Sequence, residues 1–289
     1  MQIFYPISIL KLSATINSKQ IREEEMLKRS TLILLALLNI IGFIATVAVN
    51  AMAALLPINN KSTEALSDQY PNLFVPSGLT FSIWGLIYIL LGIYVIYNLV
   101  VSFKKNSEKA GFVEKIGILF FISSILNIGW ILSWHYEIVI LSLIIMVALF
   151  AVLLAIYLKL GIGKSWATLA EKGLVHIAFS VYIGWITIAT IANTTALLVN
   201  YGWNGFGLSE QFWAVLVIAV GIIVAISVLF SRNDIFYCLV VDWAFLGILL
   251  KRLGDKSVDT QSVIITTIVG LALISLGILV QIIRRRKLY

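Results

Sequence analysis

The sequence predicts an all-α, polytopic transmembrane helical bundle with about eight spans. Apolar residues make up 61% of the chain and charged residues only 12%, and the mean hydropathy is +1.02. A water-soluble domain of this size would not tolerate that balance. The apolar runs are long and continuous and lack the alternation of barrel strands, so helices must satisfy the backbone amides inside the bilayer.

Eight apolar runs approach the roughly 20 residues that cross a bilayer. They cover residues 30–56, 78–103, 113–134, 138–158, 173–199, 211–230, 235–250 and 260–283. The first begins after the basic pair Lys28-Arg29, and the second begins shortly after Pro76. The third and fourth are separated by only three residues.

The last four runs have equally clear boundaries. A loop rich in glycine, residues 201–209, follows the fifth, and a basic and acidic turn follows the sixth. The seventh is the shortest and contains Asp242. The eighth ends at the basic tail, residues 284–287, which we interpret as an anchor beside anionic headgroups and not as a nucleic-acid site.

The distribution of basic residues predicts the orientation. Of the 21 Lys and Arg residues, 17 fall in the N-terminal segment, in the loops after helices two, four and six, and in the C-terminal tail. This count includes Lys115, which lies at the edge of the loop after helix two. The positive-inside rule therefore places both termini in the cytoplasm. We expect an integral protein of a bacterial cytoplasmic membrane. The single cysteine and two histidines leave no set of ligands for a dedicated metal site.

Two segments lie outside the predicted spans. Residues 1–29 are expected to form a cytoplasmic extension that is disordered or lies on a surface, since their apolar stretches are short. Residues 57–77 form the one sizeable outside loop, which is long enough to cover the mouth of a bundle. We call residues 57–77 the lid loop.

Aromatic and amide side chains recur at helical spacing on three of the spans. Within the outer halves of helices two, three and five they would converge beneath the lid loop, where an aromatic cavity with a few polar groups is typical of a small-molecule site. Helix packing and interhelical hydrogen bonds explain the same stripes equally simply. The candidate ligand-binding residues are Pro76, Trp84, Tyr88, Asn127, Trp130, Trp134, Tyr182, Trp185, Ala189 and Asn193. Trp203 and Trp213, at span ends, are interpreted as interfacial anchors.

Three motifs give the sequence a family resemblance. They are P-x7-W-x3-Y-x3-G from Pro76, N-x2-W from Asn127 and Y-x2-W-x3-A-x3-N from Tyr182. In order and spacing they resemble the tryptophan-rich sensory protein family, also called TspO/MBR or translocator protein. The resemblance covers residues 30–202, the first five helices, and leaves residues 203–289 as an additional three-helix membrane region with a basic cytoplasmic tail.

The resemblance implies a five-helix bundle, often dimeric, that binds protoporphyrin IX, haem or another flat lipophilic ligand beneath the lid loop. It implies no required cofactor, and the bilayer and a lipophilic small molecule as partners. We therefore expect a sensor, receptor or carrier for a porphyrin-like or sterol-like ligand. The alternatives are a structural or regulatory membrane subunit without such a ligand, and an enzyme that modifies a bound porphyrin.

Asp242 is the one acidic residue well inside a predicted span. An isolated carboxylate in hydrocarbon is costly, so it should face protein or water, either as a functional site or as a neutral acid hydrogen-bonded to a neighbouring helix. Cys238 and Phe245 share its helix face, which should point inward. We expect the three additional helices to pack against the five-helix core.

Overall fold

Eight long helices dominate the structure, a computed structural model that describes the backbone of residues 7–56, 58–104, 110–255 and 260–286. Side chains are described within these ranges at position 20 and from 22 to 284. The helices, with three short ones, are α1 (Ile7–Leu55), α2 (Thr63–Asp68), α3 (Ile83–Phe103), α4 (Gly111–Ile116), α5 (Leu119–His135), α6 (Val139–Leu160), α7 (Leu169–Glu171), α8 (Ile177–Asn200), α9 (Glu210–Arg232), α10 (Ile235–Gly254) and α11 (Gln261–Arg286).

The all-α membrane architecture is confirmed, since the described ranges contain helices, turns and loops only. Six of the helical segments are long and apolar enough to cross a membrane. Of the other two predicted spans, α5 has only 17 residues. Helix α10 has 20 residues but includes Asp242, Lys251 and Arg252, which lower its apolar character. Both pack lengthwise against helices that do qualify.

The third predicted span is not one helix, as residues 113–134 were expected to be. The chain breaks at Gly117, where φ is 54° and ψ is −131°, a conformation that residues with a Cβ rarely adopt. Helix α4 ends there, with the Gly117 amide donating to the Val113 carbonyl at 2.8 Å. Helix α5 begins two residues later, at Leu119, and continues to His135.

The N-terminal extension was expected to be disordered or to lie on a surface. For its described part, the expectation of disorder is wrong. Helix α1 begins at Ile7 and continues without interruption into the first membrane span, ending at Leu55. The fifth span also begins earlier than expected. Helix α7 leads through a π-helical turn, Lys172–His176, directly into α8.

The first five spans close into a ring. Helix α1 packs against α3 and α5, α5 packs against α6, and α8 completes the ring by packing against both α6 and α3. The candidate site lies inside this ring at the end covered by the lid loop, which we call the lid end. Its described part, residues 58–77, contains α2, whose first turn is capped by the Ser62 hydroxyl accepting from the Ala65 amide at 3.3 Å.

The three additional helices pack against the ring, as expected, and α10 makes the connection. Helix α10 contacts α8 on the ring and α9 and α11 on its other sides. Gly184 of α8 allows this approach, since a Cβ there would lie 3.2 Å from the Tyr237 carbonyl oxygen of α10. At the lid end α10 also touches the 3₁₀ turn Gly78–Ser82 that precedes α3.

Candidate functional site

Trp84 of α3 lies at the centre of an aromatic cluster inside the ring. Its indole stacks on Tyr88 and on Trp130 of α5, with ring centroids 5.7 Å away in each case. It meets Tyr182 and Trp185 of α8 edge-on at 6.2 Å. Such contacts add roughly 0.5–1.5 kcal/mol each beyond the burial of area. The three predicted aromatic stripes therefore meet in one cluster rather than in separate packing seams.

A small cavity of about 40 Å³ adjoins this cluster at the lid end. Its walls include seven of the ten candidate residues: Pro76, Trp84, Trp130, Trp134, Trp185, Ala189 and Asn193. Thr63 and Ser67 of the lid loop also line it. The volume suits a few water molecules, whereas drug-sized ligands occupy roughly 300–1,000 Å³. The indole rings themselves fill most of the predicted pocket.

The other three candidates, Tyr88, Asn127 and Tyr182, do not line the cavity. Tyr88 and Tyr182 pack against Trp84. The Asn127 side-chain amide donates to the Tyr182 hydroxyl at 3.0 Å, and its oxygen accepts from Asn50 of α1 at 2.8 Å. This chain of hydrogen bonds ties α1, α5 and α8 together next to the cluster.

A second chain of hydrogen bonds positions Trp130. Its indole N–H donates to the Asn193 side-chain oxygen at 3.1 Å, and the Asn193 amide donates to the Ser142 hydroxyl at 3.0 Å. All three side chains are buried. Both asparagines of the predicted site thus join helices, as interhelical polar groups in membranes commonly do.

Trp185 is one of two members of the cluster, with Tyr88, that have a buried polar atom without a hydrogen-bond partner among the described residues. Its side chain is 3% exposed, and its indole N–H is buried with no hydrogen-bond partner among the described residues. A buried donor without an acceptor costs roughly 1–3 kcal/mol. Trp185 also borders the cavity.

The lid loop is attached to the end of α5. The Trp134 indole N–H donates to the Thr63 carbonyl at 3.4 Å, and Tyr70 packs on the Trp134 ring at 5.7 Å. Lys61 pairs with Glu137 at 2.5 Å. Burial raises the pKa of the Tyr70 phenol, and the negative charge of Glu137 raises it further.

The same loop is attached to α10 on its other side. The Ser77 amide donates to the Gly247 carbonyl at 3.0 Å, and Lys251 forms an ion pair with Asp68. The lid loop therefore connects the ring to a helix that lies outside the five predicted core helices.

The predicted residue set omitted the polar contributions of α1 and α6. Asn39, Thr46 and Asn50 recur at intervals of seven and four residues, which places them on one face of α1. All three donate hydrogen bonds to neighbouring helices: Asn39 to Tyr94, Thr46 to the Ser124 carbonyl, and Asn50 to Asn127. Polar residues at helical spacing in an apolar run indicate a face that contacts other helices, and this pattern could have identified these residues from the sequence.

Asp242 lies between α10 and α11, half-buried, and accepts a hydrogen bond from the Ser275 hydroxyl at 3.0 Å. Its other oxygen is buried without a partner in the described part of the chain. Cys238 and Phe245 on the same face are fully buried, whereas Leu249, which continues this face, is half-buried. No cation among the described side chains pairs with the carboxyl group, which favours a neutral acid with one hydrogen bond.

Replacing Asp242 tests that interpretation. We expect Asp242→Asn to change the free energy of unfolding by less than about 1 kcal/mol, because the amide oxygen can accept from Ser275 as the carboxyl does. Asp242→Lys should cost more than about 2 kcal/mol, because an ammonium would be half-buried among apolar side chains. Thermal unfolding of the purified protein in nonionic detergent measures both. An equal loss in the two variants would contradict a neutral acid.

Over the described ranges, no group of three His, Cys, Asp or Glu side chains is arranged to hold a metal ion. A family model described as TSPO-like protein matches residues 36–280. The match therefore extends through α9, α10 and most of α11, beyond the residues 30–202 that carry the motif resemblance. Comparison with curated proteins gave no match, and comparison with solved structures gave none either.

Proposed function

The chain belongs to the TSPO-like protein family, and from this we propose that it is a membrane receptor or carrier for a flat lipophilic ligand, porphyrin-like or sterol-like, bound at the aromatic cluster beneath the lid loop. It is an integral membrane protein with several long apolar helices. We further propose that the lid end faces outward from a bacterial cytoplasmic membrane, since 17 of the 21 basic residues fall in the sequence segments that the positive-inside rule assigns to the cytoplasm.

The observation that carries the proposal is the meeting of three tryptophans, Trp84, Trp130 and Trp185, around a cavity with an unpaired indole N–H. A flat conjugated ring can replace one indole in a stack at little cost, because it offers the same kind of π-face. The N–H of Trp185 would then gain an acceptor, such as a carboxylate or hydroxyl of the ligand, which removes the cost of leaving it unpaired.

Binding requires the site to open, because the cavity is about 40 Å³. The lid loop is suited to this movement. Its ion pairs, Lys61 with Glu137 and Lys251 with Asp68, are partly exposed, and each such pair contributes only about 0–1 kcal/mol. Displacement of the loop would carry Tyr70 away from Trp134 and widen the cavity towards Trp84.

One observation favours the alternative, a structural or regulatory subunit without a small-molecule ligand. Trp130, Asn193, Asn127 and Tyr182 satisfy one another's hydrogen bonds, so the cluster is stable as packing alone. The two functions differ in one measurable respect, which is whether the cluster accepts a ligand with saturable affinity.

Titration of the purified protein with protoporphyrin IX separates them. We expect saturable quenching of tryptophan emission with a matching shift in porphyrin absorbance. Trp84→Ala should weaken binding by about tenfold or more, because it removes the ring at the centre of the cluster. Trp185→Phe should weaken it about fivefold, because the ring remains and only the N–H is lost.

The matched control is Trp166→Phe. Trp166 is 84% exposed in the loop after α6, so its removal should change the emission intensity and leave the affinity unaltered. Each variant is first shown to unfold at a temperature near that of the wild type. Equal affinities in Trp84→Ala and Trp166→Phe, or quenching that does not saturate, would favour the structural role.

A further inference from the structure

A second cavity, of about 580 Å³, lies at the lid end outside the ring. It separates the outer part of α8, near Thr194 and Leu198, from α9, near Trp213 and Val217, and residues 71–74 of the lid loop border it. None of the candidate residues of the aromatic cluster lines it. Its volume falls within the roughly 300–1,000 Å³ of small-molecule sites. We call it the α8–α9 groove.

The groove extends from the end of the bundle into its apolar belt. Glu210 at the start of α9 and Val220 ten positions later both line it, and the helical rise places them about 15 Å apart. That distance is about half of a bilayer's hydrocarbon core. Leu216 and Val220 are 41% and 46% exposed, so the lower part of the groove is open to the lipid side.

The upper part of the groove combines aromatic rings with a negative charge. The Trp203 and Trp213 rings lie 4.9 Å apart, and the Trp213 indole N–H is held by the Gly205 carbonyl at 2.9 Å. The Glu210 side chain lines the same rim and is exposed. Among the described residues that line the groove, none is Lys or Arg.

We propose that the α8–α9 groove binds an amphiphilic cation, that is, a protonated amine or a quaternary ammonium attached to an apolar body. The cation lies between Glu210 and the rings of Trp203 and Trp213, and the apolar body extends along the groove to Val220. Aromatic faces attract cations, most strongly when water is partly excluded. The carboxylate supplies the opposite charge.

The negative charge of Glu210 at the rim also disfavours a phospholipid, the most abundant alternative occupant of the groove. A phospholipid would bring its phosphate to the same level, where it would meet the Glu210 carboxylate and no basic side chain among those lining the groove. Anionic and zwitterionic lipids are therefore disfavoured relative to a cation without a phosphate. The groove shares no lining residue with the small cavity beside the aromatic cluster, although α8 and the lid loop contribute to both, and the proposal does not depend on the function proposed for that cluster.

Photolabelling of the full chain in nonionic detergent tests the proposal. The probe is an alkyltrimethylammonium with a diazirine in its tail, and the labelled peptides are identified by mass spectrometry. We expect saturable labelling within residues 191–220. Decyltrimethylammonium should compete for it, whereas decanol and decyl sulfate at equal concentration should not.

Two pairs of variants make the test specific. Glu210→Gln should raise the half-saturating probe concentration about fivefold, while Glu64→Gln, which also changes an acid in the first turn of a helix, should not. Val220→Trp should fill the groove and abolish labelling. Val224→Trp, one turn further along α9 and also partly exposed, should retain it.

The contradicting results are equally concrete. Labelling of residues 191–220 by a neutral alkyl probe with the same half-saturation, or an unchanged value in Glu210→Gln, would show that the groove holds hydrocarbon without regard to charge. Labelling confined to peptides around Trp84 and Trp185 would place the cation in the aromatic cluster instead. Trp84→Ala is expected to leave labelling of the groove unaltered.

Discussion

A single methyl group at Gly247 is expected to destabilise the protein by about 3 kcal/mol, although alanine is the better helix former by about 1 kcal/mol. A Cβ at this position would lie 1.9 Å from the Thr80 hydroxyl oxygen and 2.9 Å from the Thr80 Cβ and Cγ2. Thr80 is 2% exposed, and its carbonyl accepts from the Trp243 indole at 2.9 Å. The buried threonine must therefore shift to accommodate the added methyl group.

The contact at Gly247 also holds the lid loop, because the Gly247 carbonyl accepts from the Ser77 amide at 3.0 Å. We expect Gly247→Ala to lower the thermal unfolding temperature and to increase proteolysis within residues 58–77. Thr80→Gly should restore much of the loss in the double variant, since it removes all three clashing atoms. Gly85→Ala is the control, because no atom of the described residues lies within 4 Å of a Cβ there. Unaltered stability of Gly247→Ala would contradict the close approach.

Much of the ring could be predicted from the sequence because the bilayer restricts the choices. Apolar runs of membrane length must be helices, and polar or aromatic stripes on such helices must face protein. The positions of Trp84, Trp130 and Trp185 in one cluster follow from their spacing and depth. The volume of the cavity does not, because it depends on how far the indoles stack on one another once the helices have closed.

Other features depend on contacts between distant segments. The break at Gly117 lies within an apolar run whose charged residues, Glu114 and Lys115, precede the break, so hydropathy alone did not reveal it. Helix α10 was expected to pack inward through Asp242 and Cys238, but its contact with the lid loop depends on Gly247 and on the 3₁₀ turn before α3. The α8–α9 groove depends on the angle between two helices, which α10 determines by packing against both.

Gly163→Ala, at the end of the bundle opposite the lid, is expected to have a larger effect than Gly247→Ala. We expect it to lower the free energy of unfolding by more than about 4 kcal/mol. A Cβ on Gly163 would lie 1.6 Å from the Arg232 carbonyl oxygen and 2.6 Å from its carbonyl carbon. Both are backbone atoms, so no change of rotamer relieves the overlap. Gly163 also has a φ of +78°, which adds roughly 1–2 kcal/mol for any residue with a Cβ.

The backbone around Gly163 has little freedom to withdraw from Arg232. The Arg232 guanidinium donates to the Ile162 carbonyl at 3.3 Å, and nearby the Tyr157 hydroxyl donates to the buried Asp234 carboxylate at 2.8 Å. These contacts join the turn after α6 to the turn between α9 and α10. Separation of the two turns would therefore detach the additional helices from the ring at this end.

Gly202→Ala is the matched control for Gly163→Ala. Gly202 has a φ of +62°, and within the described ranges nothing lies within 4 Å of a Cβ built on it, so the control carries the cost of the backbone conformation without the overlap. We expect Gly202→Ala to lower the free energy of unfolding by about 1 kcal/mol, compared with more than about 4 kcal/mol for Gly163→Ala. Thermal unfolding in nonionic detergent and the folded fraction recovered on gel filtration measure the difference. If the two variants lost the same stability, the cost would be the backbone conformation alone, and the contact between Gly163 and Arg232 would not hold the additional helices on the ring.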